Sequence, residues 1–398
     1  MLKALREDGT PLQLLPRLSK EVLKKEKEVG RFYCPECKEK VIMKIGTQRI
    51  EHFAHEAGSQ CVESYERESM YHLNGKQQLY HWLETQRLQP RLELYYEKLK
   101  QRPDLSIKYA AKEHAIEYQC STIPPELMSK RTNTYFKNNI NCIWILGGSG
   151  IKRKAEQKVT LSKFDYLFLN KNLAGNWYIP YYCSVSKQFI FLMDIIPIAS
   201  KKALTKLTIY PLQRFSFQQL LSPNGSSSIH TEDWRNEVRA QKLGIAINGK
   251  YYPKFLTELY NHALNISLLP PFIGLPIYNA PIIETSPLIW QTYLFIDQLL
   301  HKKANDLITF SEVYRSFMHR IQKDQIKLRY LPLIHNTSPT LPLAEYLRLL
   351  VKLEVLEGVN LNTFRLRRGI ELPNHVVEGQ RLEDQLYKDF QHVLFQHK

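Results

Sequence analysis

Residues 102–121 read RPDLSIKYAAKEHAIEYQCS. Two apolar runs flank a polar kink, the pattern of an antiparallel hairpin. In AIEYQCS, strand alternation puts Ala115, Glu117, Gln119 and Ser121 on one face, and Ile116, Tyr118 and Cys120 on the other. Pairing PDLSIKYA with that run across an AKEH turn sets Asp104 beside Glu117 at one end of the hairpin. Neighbouring carboxylates repel each other, and a cation between them removes the repulsion.

Upstream, RLELYYE reads as a first strand carrying Glu93. Before it, ESMYHLNGKQQLYHWLE is helical in period. Glu68, His72 and Lys76 recur at i, i+4 and i+8 as one polar stripe, with Met70, Leu73, Tyr80 and Leu83 supplying apolar content. Carboxylates from the hairpin and this helix can hold Mg²⁺ or Mn²⁺ through oxygen. Such an ion polarises a phosphodiester and makes hydroxide from water. Downstream, PPELMSKRTNTYFKNN reads as a second helix, followed by the apolar strand CIWILGG. Arg131 and Tyr135 are four apart on it, with Lys130 and Thr132 alongside, and Arg131 is suited to clamp a phosphate bidentately. Taken singly, Asp104 after Pro103 is a turn residue and Glu117 a paired strand charge. It is their combination and order that point to a metal-dependent site.

A second cluster precedes the helix. Cys34 and Cys37 stand in CPEC, His52 and His55 in EHFAH, and Cys61 follows. KVIMKIGTQRIEHFA reads as two short strands about a turn at Gly46. A Cys-x2-Cys knuckle followed by a hairpin that returns further ligands is the build of a structural zinc site. Five residues compete for four places. His52 and His55, three apart on a strand, face opposite ways, so which four bind Zn²⁺ is open. Four ligands leave no place for substrate, so the expected role is structural. Cys120 and Cys142 read as core thiols, and Cys183 has no assignment.

The chain has 398 residues, enough for two or three domains, and 43% of them are apolar. Its net charge of +16 predicts attraction to polyanions. MLKALREDGT has no apolar core of a signal peptide, and no apolar stretch is long enough to span a bilayer. The expected location is the cytoplasm, where cysteines stay reduced.

The order of helix Glu68, then Pro103-Asp104, then Glu117-x-Gln119 resembles the PD-(D/E)xK nuclease superfamily. The whole chain resembles the competence protein CoiA family. The match rests on CPEC with HFAH, on ESMYH and GK, on RPDL, on EYQCS, and on RTNTY before CIWILGG, all within residues 1–150. The resemblance implies an αβββαβ core. It makes Asp104 and Glu117 ligands of Mg²⁺ or Mn²⁺, and Glu68 a further ligand or a water-positioning group. Gln119 stands where the superfamily has Lys, and cannot supply a positive charge. Lys76, on the Glu68 face, is the candidate replacement, and His72 a hydrogen-bonding group at the edge. Arg131, Thr132 and Tyr135 are the expected substrate contacts.

The expected fold class is therefore α+β multidomain. Residues 1–63 form a zinc-ribbon-like module, 64–150 a restriction-endonuclease-like core, and 151–221 a mixed extension. A linker, SPNGSSSIHT (222–231), leads to a mostly helical domain over 232–398. Within that domain LAEYLRLLVKLEVLEGVNLNTFRLRR (343–368) fits a winged-helix element and a helical bundle with a basic edge equally well. Aromatic residues at 164–196, among them Tyr166, Phe168, Trp177, Tyr181 and Tyr182, read as core strands before base-stacking platforms. The activity this implies is hydrolysis of DNA, single-stranded or branched, during natural transformation, with recombination proteins as partners. The alternatives are a non-catalytic DNA-binding mediator that retains the fold, favoured by Gln119, and a zinc-bearing RNA-binding protein.

Overall fold

A computed structural model describes residues 1–15, 18–46, 50–59, 61, 68–225, 229–334 and 337–394. The tip of the hairpin after Gly46 and the middle of the 222–231 linker lie outside these residues. The chain begins with strands β1 (Lys3–Arg6) and β2 (Pro11–Gln13), helix α1 (Lys20–Val29), and strands β3 (Phe32–Tyr33), β4 (Lys40–Lys44) and β5 (His52–His55). Helix α2 (Met70–Thr85), strands β6 (Arg91–Leu92), β7 (Leu105–Tyr109) and β8 (Lys112–Gln119), helix α3 (Pro125–Lys137) and strand β9 (Ile140–Gly147) follow. Next come β10 (Lys152–Arg153), β11 (Lys158–Thr160), α4 (Lys163–Leu167), β12 (Asn170–Lys171), β13 (Trp177–Cys183), β14 (Gln188–Pro197) and β15 (Lys202–Pro211). The remainder is α5 (Phe217–Leu221), α6 (Thr231–Ile247), α7 (Pro253–Asn261), α8 (Pro287–Gln298), β16 (Leu307–Thr309), α9 (Phe310–Gln322), α10 (Thr340–Lys352), β17 (Leu356–Asn360), β18 (Thr363–Leu366) and α11 (Val376–Asp389).

Two compact units result. The first gathers residues 1–151, 167–193 and 207–224, and the second residues 152–166, 194–206 and 225–398. The 151–221 stretch, expected as an extension of the core, is divided between them.

In the first unit, a five-stranded sheet runs in the order β2-β1-β3-β4-β5. β4 alternates cleanly, with Val41 and Met43 buried between exposed lysines. A second sheet runs β14-β13-β9-β8-β7-β6. The β7–β8 hairpin turns at Ala110 and Ala111, both at positive φ (47° and 60°), so Lys112, Glu113 and His114 belong to the strand rather than to the expected turn. Its register pairs Leu105 with Ile116, so Asp104 lies opposite Glu117 as expected. β8 continues through α3 into β9, which lies parallel to it, a crossover unit buried on both faces. The element order α2-β6-β7-β8-α3-β9 is αβββαβ. Tyr166, Phe168, Trp177, Tyr181 and Tyr182 are buried.

The second unit packs its helices around Trp234, Trp290, Tyr293, Phe295 and Tyr346. Its three-stranded sheet has the order β16-β18-β17. Among the described residues, no helix is long and apolar enough to cross a membrane.

Candidate functional site

Helix α2 starts at Ser69, whose hydroxyl accepts from the His72 backbone N–H at 3.2 Å. It then presses on β8 through Gly75, where a Cβ would come within 2.0 Å of the Tyr118 ring. That close approach carries Lys76 into the interior, where its side chain is 1% exposed. A buried ammonium survives only if it is paired. Lys76 pairs three times: with Glu68, with Glu93, and with Asp104 at 3.3 Å.

Asp104 lies just before β7 and off its regular pleat. Its Oδ2 accepts from the Tyr118 amide at 2.8 Å and lies 3.3 Å from His72 Nε2. Donor atoms of Glu68, His72 and Asp104 all lie within 4.8 Å of one another. Burial alone would raise the carboxyls, but Lys76 holds Glu68 and Asp104 well below the usual range, with His72 adding to the effect. Burial likewise works against the Lys76 charge, yet Glu68, Glu93 and Asp104 together raise its pKa. The charges are interlocked.

Glu93 is the residue whose importance the sequence understated. The expected strand RLELYYE ends at Leu92, because Glu93 takes φ 44°. Its carboxylate turns inward to accept from Leu2 N (2.9 and 3.0 Å) and Lys3 N (3.0 Å) as well as Lys76. The first strand of the chain is thereby tied to the acidic centre. The available signal was an acid inside an otherwise apolar run.

Glu117 belongs to the other side of the arrangement. Its Oε1 accepts from Arg131 Nη2 at 2.6 Å and Tyr135 OH at 2.7 Å, both on α3. It falls outside the group of converging donor atoms. Asp104 and Glu117 are cross-strand neighbours, yet α2 engages one and α3 the other. Burial, with help from the nearby Asp104 charge, pushes the Glu117 carboxyl up to about 7 against the pull of Arg131.

The remaining predicted residues sort clearly. Arg131 also donates to the Arg102 carbonyl at 3.2 Å. Tyr135 is fully buried and spends its hydroxyl on Glu117, and Thr132 is buried with its oxygen accepting from Trp144 Nε1 at 3.0 Å. Neither is presented to a substrate, because the α3 face that carries them packs onto the sheet. Gln119 is buried, and its amide donates to Ser121 O at 2.9 Å and Ser121 Oγ at 3.1 Å.

The second cluster forms where β3 and β4 meet. The chain turns tightly after Cys34, with Lys38 N donating to Cys34 O at 3.1 Å and Cys34 N to Glu39 O at 2.8 Å. This brings Cys34 and Cys37 together. Cys61 and His55 complete a group whose donor atoms lie within 4.8 Å of one another, and Cys37 Sγ is 3.4 Å from His55 Nε2. Of the five candidates His52 is the one left out, its Nδ1 hydrogen-bonded to Ile50 O at 2.9 Å. In this setting burial pushes the Cys34 thiol up.

Both groups suit a metal by their chemistry. Three sulfurs and an imidazole nitrogen match a soft or borderline ion in four-fold coordination. Two carboxylates and an imidazole match a hard divalent ion.

Three family models match the chain: the competence protein CoiA N-terminal domain over residues 15–64, its nuclease-like domain over 68–225, and its C-terminal domain over 230–379. Competence protein CoiA of Bacillus subtilis (strain 168) is 33% identical over 310 residues, spanning 75% of this chain and 80% of the relative. No solved structure matches.

Proposed function

The chain belongs to the competence protein CoiA family, and from that premise we propose that it is a metal-dependent nuclease acting on single-stranded or branched DNA during natural transformation. The carrying observation is the convergence of Glu68, His72 and Asp104 around buried Lys76 within an αβββαβ order. On this reading the core is of the PD-(D/E)xK kind. Glu68, His72 and Asp104 hold Mg²⁺ or Mn²⁺, which supplies a Lewis acid and an activated water when bound. Lys76 provides the positive charge that Gln119 cannot, and aligns the carboxylates. Glu117 is held in place by Tyr135 and positions Arg131 toward the phosphate. Thr132 supports that helix from within.

Cys34, Cys37, His55 and Cys61 hold Zn²⁺ in a structural role on the same reading. On the same reading the second unit's α8-β16-α9-α10-β17-β18 order serves as a winged helix, with β17–β18 as the wing. Arg348 and Lys352 on the exposed face of α10, and Arg367 and Arg368 after the wing, suit contact with a phosphate backbone.

A second reading keeps the fold without the reaction. Lys76 already pairs with three carboxylates, and Gln119 is committed to Ser121. Both observations favour a DNA-binding mediator. Cleavage of single-stranded, duplex and branched DNA with Mg²⁺ or Mn²⁺ decides between the two. Asp104→Ala is expected to lower the rate on the order of 100-fold or more. Cleavage undiminished in that variant rejects the site. DNA binding by a protein that never cleaves supports the mediator.

A further inference from the structure

Helix α6 is apolar on two sides. Trp234, Val238 and Ile245 form its buried side, where Trp234 Nε1 donates to Gly274 O at 2.9 Å. Arg235 and Arg239 secure its first half by pairing with Glu383 and Asp384 of α11. Past that clasp the opposite side continues alone. Leu243 and Ile247, at i and i+4, are 61% and 70% exposed, and just past the helix end Tyr251, in a short 3-10 turn (Gly249–Tyr251), is 71% exposed. Single exposed apolar residues are ordinary, but two on one helix face, extended past the helix end by an exposed aromatic, make the kind of apolar strip that binds a helix.

The chain that carries these residues is basic, although Arg239 is already paired with Glu383 and Asp384. Residues 239–257 contain Arg239, Lys242, Lys250 and Lys254 and no Asp or Glu. Lys250 Nζ sits 5.1 Å over the Tyr251 ring, so the cation is held on the apolar surface itself. Lys254 is exposed at the start of α7.

We propose that the Leu243–Ile247–Tyr251 stripe with Lys250 and Lys254 is a docking surface for an acidic amphipathic helix of a protein partner. Charge complementarity selects the partner: its apolar residues cover the stripe and its flanking carboxylates meet the lysines. A second copy of this chain is disfavoured, because a two-fold contact would set the same lysines against each other. Nucleic acid is disfavoured because two of the three apolar residues, Leu243 and Ile247, offer a base neither a π face nor a hydrogen bond, and Tyr251 already carries Lys250 over its ring. A surface this small belongs to transient interfaces, with affinity on the order of micromolar. The inference does not depend on nuclease activity.

The test uses the full chain and a fluorescein-labelled synthetic helix of about 18 residues, or five turns, with Leu at every third or fourth position and Glu elsewhere. A twin peptide carries Lys for each Glu. Anisotropy is expected to show binding of the Glu peptide and little of the Lys peptide. Ile247→Asp should weaken binding by about tenfold or more, and Ile247→Ala by less. Lys250→Glu with Lys254→Glu should exchange the preference between the two peptides. Thermal melts of these surface variants should match the parent, which separates lost docking from lost folding. The proposal is overturned if the Glu peptide fails to bind, if the two peptides bind alike, or if the substitutions change nothing. It is also overturned if a single-stranded oligonucleotide displaces the peptide, or if light scattering shows a dimer that Ile247→Asp abolishes. Those two results would make nucleic acid or a second copy the occupant.

Discussion

The two metal-capable groups of the first unit differ in how they are assembled. Three of the four donors of the thiol group come from three consecutive strands, Cys34 and Cys37 from the β3–β4 turn and His55 from β5, and Cys61 follows soon after. The acidic group draws His72 and Lys76 from the start of helix α2 and Glu68 from the segment ahead of its Ser69 cap. Glu93 comes from a strand end and Asp104 from the edge of a hairpin. The first is local and soft. The second is dispersed, hard and already threaded by an ammonium. A local site depends on its metal to hold its fold together, whereas a dispersed site depends on the fold to hold its charges together.

That contrast makes four further measurements informative. The largest effect should come from the thiol group. Cys37→Ser, or a strong chelator, should remove bound zinc and cost several kcal/mol of stability, roughly 5 or more, since structural zinc contributes folding energy directly. His52→Ala should keep one zinc per chain, because His52 lies outside the group. Elemental analysis and thermal melts check both. Zinc retained by Cys37→Ser would break the distinction at its root.

Next is Lys76→Met, which removes the buried ammonium that Glu68, Glu93 and Asp104 share. The expected cost is about 3–5 kcal/mol in chemical denaturation. Mn²⁺ should recover more stability in this variant than in the parent, since the ion replaces the lost charge. Equal recovery would show that ammonium and ion do not share the centre.

A smaller effect concerns Glu117. Its carboxyl is raised from 4.5 when unfolded to about 7 when folded. Its contribution is therefore fully present below pH 4.5 and is lost as pH rises through about 7. Relative to Glu117→Gln, which stays neutral, the parent should lose on the order of 1–3 kcal/mol across that window. A parallel pH profile for the two proteins would show that Arg131 keeps Glu117 ionised throughout. The smallest change is Thr132→Val. Leaving the Trp144 indole N–H without its acceptor should cost about 1–2 kcal/mol, with DNA binding unaltered. Loss of binding without loss of stability would restore Thr132 as a substrate contact.

Much of this molecule is legible in one dimension. Alternation in AIEYQCS and LSIKY predicts the β7–β8 hairpin and the pairing of Asp104 opposite Glu117, because strand geometry depends on neighbours along the chain. CPEC and HFAH mark the thiol cluster for the same reason. His72 and Lys76 share a face of α2, as a 3.6-residue period predicts, whereas Glu68 lies ahead of the Ser69 cap, off the helix expected to carry it, and reaches Lys76 from there. The turn at Ala110–Ala111 escapes such reading, since neither residue advertises positive φ.

Tertiary structure alone decided the rest. It selected His55 over His52, and turned Asp104 toward α2 while Glu117 went to α3. It buried Thr132 and Tyr135, and it set Glu93 between the first strand and Lys76. Each of those outcomes depends on which surface a distant segment covers. Spacing along a chain determines the side of an element on which a group emerges. Only packing determines what waits there, because the cost of burying a charge is set by partners that the local sequence does not contain.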